Sequence, residues 1–123
     1  MKKQLLLLLI FSISLYIQGQ NIHKLASPDG NIQISVNLSD KIYYDVICRN
    51  ETLLKQCHLA MEIGDQELGT NPKMTKVSHK NIDESLKPVI PLKFSSVSNR
   101  YNQLLLDFKG GYSVALRAFN DGI

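Results

Sequence analysis

The side chains best placed by type to do chemistry are three histidines, two cysteines and two close carboxylate pairs. His23, His58 and His79 lie far apart in the chain, and His58 directly follows Cys57. Neighbouring residues of a strand point to opposite faces, so Cys57 and His58 cannot seat one zinc ion from a regular strand. The remaining Cys and His spacings fit no zinc pattern either. Carboxylates stand side by side at Asp83-Glu84 and two apart at Asp65 and Glu67. Acid–base cleavage of a glycosidic bond needs two carboxyl groups about 5–9 Å apart across a sugar. Nothing in these spacings selects such a pair, and they read as solvated turn carboxylates. Asn120-Asp121-Gly122 holds part of a calcium-loop pattern, but the alternating acidic ligands and the closing glutamate are absent. There is no nucleophile elbow and no glycine-rich phosphate loop. The chain is therefore expected to carry no catalytic, cofactor-binding or metal-binding residue.

The amino terminus has a different purpose. Met1-Lys2-Lys3 precedes an apolar run from Leu5 to Ile17, broken only by Ser12 and Ser14. A basic start and a short apolar run make a secretory signal, well under the roughly 20 residues of a bilayer-spanning helix. Residues 1–19 are read as that signal, cleaved after Gly19, and residues 20–123 as the mature chain. The expected location is periplasmic or extracellular, with no stable membrane insertion after cleavage. Losing Lys2 and Lys3 leaves twelve basic residues against eleven acidic, a net of +1 rather than +3. That balance gives no reason to expect nucleic acid as a partner.

Everything after residue 20 reads as β-structure. Ser27-Pro28-Asp29-Gly30-Asn31 is a turn separating a short strand near Ile22–Ala26 from Ile32–Leu38. In the latter, Ile32, Ile34, Val36 and Leu38 alternate strictly with Gln33, Ser35 and Asn37, the pattern of a strand with one wet face. Ile42–Arg49 follows as a strand whose Tyr44, Val46 and Cys48 share the inner face. A turn at Asn50-Glu51 would pair Arg49 with Thr52 and Tyr44 with Cys57. Cys48 and Cys57 then lie about 13 Å apart along the sheet, too far for a disulfide, and two free thiols are expected; a bridge remains the alternative under a different turn or pairing. Leu59–Ile63 is apolar at every second position, and 64–72 reads as a loop. Met74–His79 and Asp83–Leu86 read as two short strands, the first at an edge. Pro88 and Pro91 mark an edge, a bulge or an irregular crossing. Arg100–Phe108 and Tyr112–Phe119 are strong strands joined by Lys109-Gly110-Gly111. Asn120-Asp121-Gly122 then supplies turn residues that tolerate φ > 0, and Ile123 would begin a returning strand. The expected fold is an all-β antiparallel sandwich, and a hairpin ending at its turn reads as the front part of a longer protein.

Several of these pieces, in this order, carry a resemblance. They are Ser27-Pro28-Asp29-Gly30-Asn31 with its alternating strand, Tyr43-Tyr44-Asp45-Val46, Asp83-Glu84 ahead of Pro88-Val89, Tyr101-Asn102 opening a leucine-rich strand, and Arg117-Ala118-Phe119-Asn120-Asp121-Gly122-Ile123. Together they resemble the N-terminal domain of glycoside hydrolase family 97, exported bacterial α-glucosidases and α-galactosidases. The resemblance implies a partial β-supersandwich (galactose-mutarotase-like) over residues 20–123. It implies that a catalytic (β/α)₈ barrel, the catalytic carboxylates and the calcium ligands lie outside this stretch. An oligosaccharide would be the partner of the full enzyme, and this portion would be inactive alone. Ile90-Pro91-Leu92 stands where many members have an aromatic-Gly step, and the chain has no Trp. The alternatives are a free-standing exported carbohydrate-binding module and an assembly module completed by a partner's donated strand.

Overall fold

An alternating apolar face has to meet a second such face, and the arrangement follows from that need. The computed structural model describes residues 21–87, 89–90 and 96–123. The first sheet runs in the order β1-β2-β3-β4, with β1 Ile22–Ala26, β2 Ile32–Leu38, β3 Ile42–Cys48 and β4 Glu51–Leu59. A small hairpin joins β5 Met61–Ile63 to β6 Gln66–Leu68. The second sheet runs β7-β8-β9, with β7 Met74–Leu86, β8 Val97–Phe108 and β9 Tyr112–Ala118. All pairings among the described residues are antiparallel.

The core forms where the two inner faces meet. Ile32, Ile34, Val36 and Leu38 of β2 are buried, joined by Leu25, Ile42 and Val46 from the neighbouring strands. The second sheet answers with Leu104, Leu106 and Phe108 of β8 and Ala118 of β9. Cross-strand pairs Leu104 with Leu116 and Leu106 with Val114 keep the apolar side chains of β8 and β9 on one face. Phe108 stacks on Tyr112 with ring centres 5.0 Å apart. The period-two pattern read in Ile32–Leu38 is thus the buried stripe of the sandwich.

Four local expectations need correction. The β3–β4 turn is Arg49-Asn50, not Asn50-Glu51, and both residues have positive φ, at 49° and 66°. Cys48 therefore faces Glu51, and Ile47 faces Thr52. Two irregularities then add residues to β4, so that Tyr44 still meets Cys57 as expected. At the second of them Gln56 has φ 51°, and its N–H donates to Asp45 Oδ1 at 2.6 Å. The carboxylate satisfies an amide that the broken ladder leaves free. Both thiols are free, with Cys48 and Cys57 still four residues apart in register.

Residues 64–72 are not all loop. Gln66–Leu68 pairs with Met61–Ile63 across a Gly64-Asp65 turn in which Gly64 has φ 60°. Met74–His79 and Asp83–Leu86 are parts of one thirteen-residue strand, β7, paired with β8 along its length. A long partner strand holds the polar stretch Lys80-Asn81-Ile82 extended despite its weak strand pattern. At the far end, Phe119 N–H donates to the Gly122 carbonyl at 2.8 Å. The chain reverses around Asn120-Asp121, yet neither residue, nor Gly122, takes the left-handed conformation expected of them. Residues 1–19, read above as a signal, and Pro88 and Pro91 lie outside the described residues; Val89 and Ile90 between the prolines are exposed and belong to no strand.

Among the described glycines, Gly69 leaves the least room for a side chain. Its φ is 96°, and a Cβ there would stand 2.5 Å from the Leu59 carbonyl oxygen. Gly69→Ala is expected to destabilise the junction of β4 and β6 by more than the same change at Gly30, where a Cβ meets nothing within 4 Å. Leu106→Ala, at a site with no exposure, is expected to cost about 2–5 kcal/mol. Urea unfolding of the three variants beside the parent checks both statements.

Candidate functional site

The residues that could work together gather where the β1–β2 turn crosses the second sheet. Ser27 is buried, and its hydroxyl donates to Asp29 Oδ1 at 2.5 Å while accepting the Ile32 N–H at 3.0 Å. Asp29 Oδ1 also accepts the Asn31 N–H at 3.0 Å, and Oδ2 accepts Asn31 Nδ2 at 2.8 Å. Gly30 N–H closes the turn on the Ser27 carbonyl at 2.9 Å. Each of the five residues except the proline is thus bonded within the turn. The Ser27 hydroxyl, then the Asn31 amide, hold the Asp29 carboxyl below its ordinary 3.8. Asp40 behaves alike, its carboxyl lowered first by the Ser39 hydroxyl.

Two bonds tie this turn to the other sheet. Asn102 Nδ2 donates to the Ala26 carbonyl at 2.8 Å, across 76 positions of sequence. The Asp29 N–H donates to Asn120 Oδ1 at 3.1 Å, across 91 positions. The Arg117–Asn120 stretch therefore has a separate physical task at each residue. Arg117 lies over the Tyr101 ring at 5.1 Å and bonds Gln103 Oε1 through Nε at 2.9 Å. Ala118 is wholly buried. Phe119 packs on Tyr101 at 4.9 Å in a tilted pair. Asn120 takes the amide of Asp29. Sequence reading singled out both stretches and missed that they touch; the polar Asn102 opening an apolar strand was the available sign.

Beside this clasp is a polar notch of about 180 Å³ lined by Pro28, Asn81, Ile82, Asp83, Arg100 and Asn102. Asp83 and Arg100 face each other in register, with Nε 3.5 Å from Oδ2 and both side chains largely exposed. Glu84 is the next residue of β7 and points to the other face, so Asp83 and Glu84 do not converge. Asp65 sits in the β5–β6 turn, and Glu67 faces Glu62 across it. His58 faces Tyr43 on β4, while His23 and His79 lie on β1 and β7. Among the described residues no three His, Cys, Asp or Glu side chains converge as metal ligands. The oxygens of Asp29 are already engaged by Ser27 and Asn31, so this corner does not fit a calcium ion. Three of the tyrosine rings are also engaged: Tyr44 and Tyr112 pack on the core, and Tyr101 lies under Arg117.

An apolar groove of about 350 Å³ lies elsewhere, between the end of the first sheet, the β5–β6 hairpin and β9, and includes Ile42, Leu59, Met61, Leu68 and Val114. It marks incomplete cover. β9 is the edge of its sheet, and Leu54, opposite buried Val46 on β4, is 39% exposed.

Comparison with known proteins decides the family. The profile of the Glycosyl-hydrolase 97 N-terminal family matches residues 25–123. The chain belongs to that family. A retaining alpha-galactosidase of Bacteroides thetaiotaomicron is 37% identical to it over 127 residues, an alignment that takes in all of this chain and 19% of that protein. A glycoside hydrolase family 97 enzyme from Pseudoalteromonas sp. strain K8, solved with acarbose, superposes with a TM-score of 0.71 at 24% identity. The match covers 80% of this chain and 16% of that one. A beta-arabinopyranosidase superposes with a TM-score of 0.69 at 25% identity, over the same shares. The family and the antiparallel β-sandwich agree with the resemblance read from the sequence. The chain spans about a fifth of the length of the curated relative.

Two consequences follow for the clasp. Asn102→Ala is expected to cost about 1 kcal/mol, the net worth of a typical protein hydrogen bond, read from urea midpoints. The lowered carboxyl of Asp29 contributes stability that is present above pH 3.8 and lost as pH falls through the native value. Asp29→Asn is therefore expected to flatten the acid limb of a stability–pH curve, leaving a residual slope from Asp40 and other carboxylates.

Proposed function

We propose that this chain is the exported, non-catalytic N-terminal β-module of a family 97 α-glycosidase, bracing a catalytic barrel and helping to wall its sugar pocket. The observation that carries this reading is the uneven cover of the sandwich. The inner face is closed over β2 and open over β4, where Leu54 remains exposed. The groove beside β9 is lined mainly by apolar residues, and β9 presents an unpaired edge. An edge of that kind is normally covered or paired. Further strands of the same β-domain, packed in turn on a barrel, would supply that cover. Export is supported by the basic start and short apolar run of residues 1–17.

In this reading the substrate is an oligosaccharide with an α-linked glucose or galactose, held by residues of the wider enzyme. Calcium would be bound there too. The acidic pairs of this chain are separated on opposite faces or in a turn, and its clasp serves structure. A barrel carries its catalytic groups at the carboxyl ends of its strands, so the chemistry belongs to that domain.

The purified chain is expected to show no hydrolysis of nitrophenyl α-galactoside or nitrophenyl α-glucoside above a buffer blank. Turnover that copurifies with the chain and survives gel filtration would overturn the non-catalytic assignment.

A further inference from the structure

β1 is an edge strand whose two ends are held differently. At its carboxyl end, Ala26 is bonded by Asn102, and the Ser27–Asn31 turn is bonded to Asn120. Among the described residues its amino end is hydrogen-bonded only through the ladder to β2, extended by the Leu38 N–H on the Asn21 carbonyl at 2.9 Å. His23 sits in that weaker half, opposite Val36 and on the same face as buried Leu25. Its Nε2 is buried and has no hydrogen-bond partner among the described residues. A neutral imidazole tolerates that position because its unprotonated nitrogen loses only an acceptor bond. An imidazolium there would place a charged N–H in apolar surroundings with no acceptor.

The second sheet adds to this. His79 on β7 is in register with the wholly buried Leu104 of β8, so its strand position is on the inner face, although the residue itself is exposed. Of the groups on strands around His23, β2 offers Ile34, Val36 and Leu38, and β8 offers Asn102 and Leu104. β7 offers Val77, His79 and Asn81, with the Asp83–Arg100 pair about 13 Å beyond His79 along the strand. β9 offers Leu116 and Ala118. Among the described residues no carboxylate stands at these nearer strand positions to compensate a cation. Burial first, and the charge of His79 second, hold the His23 imidazole below its ordinary 6.5.

We propose that the amino-terminal half of β1 is a pH-operated latch: it stays zipped to β2 while His23 is neutral and opens when His23 is protonated, with His79 at an inner-face position of the other sheet. The sign follows from linkage. A histidine held low in the folded state stabilises nothing extra when neutral, and begins to oppose the closed form as pH falls below the open-state value near 6.5. The opening is local because the other half of β1 is pinned by bonds that do not involve either histidine.

Amide hydrogen exchange of the full chain at pH 7.5 and pH 5.0, corrected for intrinsic rates, tests this. Amides of Ile22–Leu25 bonded to β2 are expected to lose protection at least twofold at pH 5.0, while those of Ile42–Cys48 keep it. His23→Gln is expected to abolish the difference, and His79→Gln to shrink it. Equal protection at both pH values, loss spread evenly over both sheets, or a full-sized effect in His79→Gln would overturn the latch. Should His23→Gln fail to fold, the parent decides: a His23 ring midpoint below 6.5 together with loss of protection confined to β1 supports the proposal, and a midpoint at or above 6.5 or a loss outside β1 overturns it.

Discussion

The amide of Asp29 and the side chain of Asn120 meet across 91 positions of sequence, and the relation of the two sheets depends on that meeting. Hydrophobic burial alone does not fix how one sheet lies on the other, because apolar contact is non-directional. Hydrogen bonds are directional, and here two of them act at one end of the sandwich. Asn102 reaches Ala26 and Asn120 reaches Asp29, so β1 and its turn are held over the start of β8 and the end of β9. With that corner fixed, Ile34 and Val36 share one buried core with Leu104 and Leu106. The turn can serve as an anchor because it is bonded internally by Ser27, Asp29 and Asn31 before it touches anything else.

Much of this was legible in the chain. Ile32–Leu38 alternates so strictly that only a half-buried strand fits, and its four apolar residues are buried. The five-residue turn, β8 and β9 were likewise marked by pattern and by turn chemistry. What the chain hid was non-local. The polar length of β7 is extended because β8 lies beside it, not because its own residues favour a strand. The β3–β4 hairpin turns one residue early and recovers its register through extra residues on β4, one stabilised by Asp45. Local propensity cannot show a compensation of that kind, since each half of it looks like an error alone. Met61, Ile63 and Leu68 flank Gly64-Asp65 as a hairpin should, but three-residue strands are too short to stand out.

The functional residues were legible in a different sense. Sequence reasoning found no catalytic constellation and instead found five pieces that together resemble family 97, the first and last of them being the stretches Ser27–Asn31 and Arg117–Ile123. The structure shows what those stretches do: they are the two halves of one clasp, with Tyr101, Arg117 and Phe119 sealing its flank. Specificity of sequence here reflects the demands of a junction. A wholly buried Ala118 next to an aromatic, a cation and a capping amide leaves few substitutions that preserve all four contacts.

A scaffold role makes a demand that an independent binding module does not. The Bacteroides thetaiotaomicron alpha-galactosidase, lacking the stretch that aligns with this chain, can be prepared with and without the chain added in trans. Galactoside hydrolysis and the unfolding midpoint of the shortened enzyme would be measured in both. If this chain is the N-terminal brace of a family 97 enzyme, adding it raises both, and Asn102→Ala together with Asn120→Ala raises them less. No recovery of either quantity by a folded chain that binds the shortened enzyme would contradict the account.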